Sequence, residues 1–82
     1  MKLAKVYIYF KDGVLDPQGA AVKTSLLDSG YDGVKELKVG KLLEIKLDVK
    51  NEKDAEVLVK EMCEKLLVNP VIEDYKFEIL GV

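Results

Sequence analysis

Few side chains in this sequence could do chemistry, and they are scattered. Asp16, Glu73 and Asp74 are carboxylates of the kind general acid–base catalysis uses, Cys63 is the one thiol, and Lys41 follows Gly40 as a lysine does in phosphate-binding loops. Each has a simpler account. Asp16 stands before Pro17 and reads as a helix N-cap followed by the residue whose fixed φ suits the first helical position. Glu73 and Asp74 open a strand pattern, where neighbouring acids are solvated. A P-loop needs a longer glycine-rich run leading into a helix, whereas Gly40 and Lys41 lead into a strand and read as turn chemistry. Cys63 lies beside Met62 on the apolar side of a helical pattern, and no histidine is present to activate it. One cysteine and no histidine leave only scattered carboxylates for a metal. Tyr7 and Tyr9 share one face of a strand, as base-stacking aromatics do in RNA-binding sheets, but the basic signature of such sheets is missing.

The counts sharpen this. The thirteen basic residues are all lysine, so the bidentate clamp for phosphate or carboxylate is absent along with the imidazole proton shuttle. Autonomous catalysis is therefore not expected. A net charge of -2, with cations spread along the chain, offers no attraction to nucleic acid. The 82 residues suffice for a single domain, 1–82, near the size at which one core supplies only a few kcal/mol. A lone cysteine, no signal-peptide pattern and no apolar run of spanning length predict a cytoplasmic protein without a disulfide.

The elements that must position these residues are legible from period and punctuation. Residues 3–11 alternate, with Ala4, Val6, Ile8 and Phe10 on one side and Leu3, Lys5, Tyr7 and Tyr9 on the other, which predicts a strand. A helix is expected from Pro17 to Ser29, burying Val22 and Leu26, with Gly30 as its left-handed cap. Residues 33–39 predict an irregular strand, joined through a type II′ turn at Gly40 and Lys41 to a strand in which Leu43, Ile45, Leu47 and Val49 alternate. Asn51 caps a second helix with an apolar stripe of Ala55, Leu58, Val59, Met62 and Leu66, reaching about Leu67. Pro70 stops it, and Tyr75, Phe77 and Ile79 alternate in a closing strand.

The order β-α-β-β-α-β predicts an α+β two-layer sandwich, a four-stranded antiparallel sheet with both helices on one face in a ferredoxin-like arrangement. The other face would carry Leu3, Tyr7, Tyr9, Leu42 and Leu80. It is too apolar for a solvent face and predicts self-association.

Three fragments then form a recognisable set: Lys11 to Gly19 (KDGVLDPQG), Gly40-Lys41, and Leu66 to Tyr75 (LLVNPVIEDY). In this order and spacing they resemble the PurS family, the small subunit of phosphoribosylformylglycinamidine (FGAM) synthase of purine biosynthesis. The resemblance implies a non-catalytic subunit of an ATP-dependent ligase with glutamine as amide donor. It also implies a large synthetase subunit that binds ATP and magnesium, and a separate glutaminase subunit. The small subunit, a homodimer or homotetramer, would bridge the two and assist ammonia transfer, with no cofactor of its own. Its partner-facing residues would be Asp16, Gln18, Gly19, Gly40, Lys41, Asn69, Glu73 and Asp74. The competing reading of the same element order is a stand-alone regulatory module of the amino-acid-sensing type.

Overall fold

The computed structural model describes residues 1–81. Strand β1 (Lys2–Phe10) lies at the centre of the sheet, because its alternation buries Ala4, Val6 and Ile8 completely or nearly so beneath a helix. β2 (Lys41–Leu47) and β3 (Glu73–Gly81) pair with it antiparallel on either side, giving the order β2-β1-β3. Tyr75, Phe77 and Ile79 of β3 and Leu43 and Ile45 of β2 extend the same apolar face.

Helix α1 (Pro17–Asp28) starts as its sequence predicts. Asp16 Oδ1 accepts the Gly19 N–H at 3.0 Å and Pro17 occupies the first turn. At the other end Gly30, with φ of 96°, donates to Leu27 O while Tyr31 N–H reaches Leu26 O, the paired bonds of a Schellman cap. Helix α2 (Glu52–Met62) is capped by Asn51, whose Oδ1 accepts the Asp54 N–H at 2.8 Å, and it covers the sheet with Ala55 and Val59.

Three expectations need correction. Among the described residues the sheet has three strands, not four, with no hairpin at Gly40. Residues 33–40 form no ladder, and three of their backbone groups have partners outside the sheet. Lys35 O accepts from Lys23 Nζ at 2.7 Å, Val39 N–H donates to Asp16 Oδ2 at 3.0 Å, and Val34 N–H donates to Tyr31 O. Gly40 also lacks the positive φ that a type II′ turn requires there.

The second correction concerns α1, which does not lie over the sheet. Only α2 and the turn after it pack there; of α1, Gly19 alone is buried, Leu26 is half-buried and Val22 is 44% exposed. The result is an elongated chain of 49 × 28 × 14 Å with a radius of gyration of 16.0 Å, against about 12 Å for a compact chain of this length.

The third is the stripe on α2. From Cys63 to Leu67 the helix widens to a π turn, closed by Val68 N–H on Cys63 O at 3.1 Å. The extra residue rotates the end of the helix about its axis, so Cys63 and Val68 are buried and Leu67 half-buried, while Leu66 is 84% exposed. Leu58, also expected in the stripe, is 39% exposed.

No helix among the described residues is long and apolar enough to cross a membrane.

Candidate functional site

Residues far apart in the sequence converge at one end of the sheet. Asp16 is the first link: its two carboxylate oxygens accept the N–H groups of Gly19 and Val39, each at 3.0 Å. A β-carbon on Gly19 would stand 2.9 Å from Leu37 O and closer still to the Asp16 carboxylate. The absence of a side chain is what lets residues 37–39 approach the helix start. One on Gly40 would stand 2.7 Å from Ile8 O, so the run into β2 passes equally close to β1.

These contacts bring Gln18 of α1, Val39 and Gly40, Lys41 of β2 and Glu73 of β3 around one small cleft of about 90 Å³, floored by Ile8, Tyr9 and Phe10 of β1. Lys41 Nζ lies 3.8 Å from Glu73 Oε2, across the open end.

The chain reversal before β3 holds the next link. Asn69 Oδ1 accepts the Val71 N–H at 3.1 Å, Asn69 O accepts from Glu73 N–H at 2.7 Å, and Glu73 Oε1 accepts back from Asn69 N–H at 2.8 Å. Lys11 N–H donates to Ile72 O at 2.9 Å and stitches the reversal to the end of β1. Pro70 sits inside this turn, where its missing N–H is not needed. A second, larger cavity of about 260 Å³ lies beside it, walled by Lys11, Cys63, Glu64, Val68, Pro70, Glu73, Asp74 and Tyr75.

The eight residues expected to face partners thus divide by duty. Asp16, Gly19, Gly40, Asn69 and Glu73 are engaged in the chain's own turns and caps. Gln18, Lys41 and Asp74 are exposed. Two of the carboxylates suited by type to acid–base work have structural duties instead, since Asp16 and Glu73 accept backbone N–H groups. Among the described residues no cluster of three His, Cys, Asp or Glu could hold a metal. Burial raises the Cys63 thiol above its ordinary range, the direction opposite to an activated nucleophile. Sequence reasoning missed Val39, whose N–H the Asp16 carboxylate holds, and the Asp12–Lys38 ion pair. Neither has a local pattern that would reveal it.

On the far face of the sheet the structure gathers the other expected set. Tyr7 stands opposite Leu42 on β2 and Lys76 on β3, and Leu3 stands opposite Leu80, with Tyr9 at the end next to Asp74. Polar groups are interleaved. Tyr7 OH donates to Glu78 Oε1 at 3.1 Å, which raises the phenol above its ordinary range, and Lys76 Nζ lies 5.6 Å from the Tyr7 ring centre.

Comparison with known proteins gives the family of the whole chain. The family model "PurS: Phosphoribosylformylglycinamidine (FGAM) synthase" matches residues 3–81. The chain belongs to the PurS family. It is 49% identical over 79 residues to the phosphoribosylformylglycinamidine synthase subunit PurS of Bacillus subtilis, covering 96% of this chain and 93% of that one. Thermus thermophilus PurS has a similar structure, with a TM-score of 0.88 at 43% identity over 99% of this chain and 96% of the other. A chain of the PurLQS structure from Thermotoga maritima matches with a TM-score of 0.83 at 31% identity, covering 98% and 99%. The three fragments singled out in the sequence fall at one end of the fold: the α1 cap and its Val39 clip, the run into β2, and the Asn69 reversal.

Proposed function

We propose that this chain is a non-catalytic subunit of FGAM synthase in purine biosynthesis. It sits between a large synthetase subunit and a glutaminase subunit and assists the passage of glutamine-derived ammonia between them. The PurS family match over residues 3–81 carries this reading, and the likeness to a chain of the Thermotoga maritima PurLQS structure supports its place in a larger assembly. In this reading ATP and magnesium belong to the large subunit, the glutaminase nucleophile belongs to the third chain, and the assembly works in the cytoplasm. This chain contributes surface. The exposed members of the convergent end, Gln18, Lys41 and Asp74, are the contacts offered to partners, and Asp16, Gly19, Gly40, Asn69 and Glu73 hold them in place.

A second copy completes the molecule in the same reading, as a homodimer or homotetramer. The elongated shape, the exposed α1 and a sheet face with Leu42 51% and Leu80 40% exposed favour it over an isolated chain. Leu3, Tyr7, Tyr9, Leu42 and Leu80 are the residues assigned to that contact.

Reconstitution tests the function. Glutamine-dependent amidine formation by the large and glutaminase subunits should require this chain, and an unchanged rate in its absence would reject the reading. Combined Gln18→Ala and Lys41→Ala substitution should leave the fold intact and weaken binding to the partner subunits about tenfold, the scale of losing one or two contacts worth up to roughly 1 kcal/mol each.

A further inference from the structure

We propose that Asp16 is a positioning residue: it touches no partner itself but builds the Gln18–Lys41 cleft by tying α1 to the segment that runs into β2. The proposal rests on the reading of that end as a docking surface. Its ground is the division of one carboxylate between two backbone donors from different parts of the chain, Oδ1 taking Gly19 N–H in the first turn of α1 and Oδ2 taking Val39 N–H before Gly40 and Lys41. A helix cap needs only the first bond. The second is surplus to capping and joins the start of α1, which stands away from the sheet, to the segment that passes close to β1 on its way into β2.

Steric fit points the same way. Gly19 is buried although α1 stands away from the core, and the space a β-carbon would take is filled by the Asp16 carboxylate and Leu37 O. The other ties to this segment, Lys23 of α1 to Lys35 O and Lys38 to Asp12 in the loop before α1, run through exposed lysine ends that water and salt loosen. Asp16 is partly buried, short and doubly engaged, so it sets where α1 sits relative to β2. With it, Gln18 and Lys41 share one cleft.

Asparagine separates the two duties. It caps helices as well as aspartate does, but its second terminal atom is an NH₂ donor that cannot accept from Val39. In Asp16→Asn, amide exchange by NMR should accelerate at Val39 by about tenfold or more, the scale of losing a hydrogen bond to a charged acceptor. Gly19 and the amides of β1, β3 and α2 should stay protected. Gly19→Ala, which leaves every charge in place, should free Val39 in the same way. Unchanged Val39 exchange in Asp16→Asn would overturn the proposal, as would loss of protection throughout the sheet in both variants. Co-elution with the two partner subunits separates the proposal from the reading beneath it. A freed Val39 with weakened co-elution supports both, whereas a freed Val39 with unchanged co-elution leaves the clip standing and rejects this end as the docking surface.

Discussion

Cys63 illustrates how environment decides what a side chain can do. It is fully buried at the start of the π turn, and desolvation there, followed by the nearby Glu64 charge, raises its pKa. Because the thiol form is favoured in the folded state, the associated stability is complete below the ordinary thiol range and is lost as pH rises through the raised value. Folded protein at pH 8 should therefore react with a disulfide reagent far more slowly than the same chain in denaturant, and equal rates would contradict the burial. Asp12 shifts the other way. Its hydrogen bond and ion pair with Lys38 hold the carboxyl below its usual range, so the pair helps at neutral pH and fades as the solution is acidified through that lowered value. Both groups are exposed, and salt should screen them.

Among the elements, α2 offers the clearest test of packing. A continuous α-helix would turn Leu66 inward with Val59 and Met62, but the π turn swings it out and brings Leu67 and Val68 in. Val59→Ala removes two buried carbons' worth of side chain and should cost about 2 kcal/mol, the transfer loss plus part of a cavity. Leu66→Ala should change stability by no more than about 0.5 kcal/mol. Urea unfolding of the two variants distinguishes the registers, since an uninterrupted α-helix would make both costly. Asn51→Ala, which strips the α2 cap, should cost about 1 kcal/mol in the same assay.

The whole molecule is a half-covered sheet with an arm. One helix and a π turn bury Ala4, Val6 and Ile8, and α1 projects from the end instead of sharing that work. An 82-residue chain with so small a core has reason to associate, because apolar area left exposed in one copy can be buried in two. Size-exclusion light scattering at micromolar concentration should therefore give at least a dimer, and substitution of Leu42 and Tyr7 by charged residues should shift it towards monomer. A monodisperse monomer of the unsubstituted chain would remove the outer sheet face as an interface.

Local order determined most of the elements. The period-two runs of β1 and β3, the Asp16-Pro17 and Asn51 caps, the Gly30 stop and the Pro70 break all act within a few residues, so the sequence by itself placed them, and its PurS-like fragments named the family. Features that depend on distant partners stayed open. A strand is made by the chain that pairs with it, and the extended pattern of residues 33–39 carries no sign that Asp16 and Lys23 would take its backbone groups first. A helix face is buried only if a sheet lies beneath it, and the stripe on α1 has none. The eight candidate residues were visible as a set but not their division of labour. Only the tertiary structure, by bringing Val39 to Asp16 and Glu73 to Asn69, separated the side chains that build that end from those that stay exposed on it.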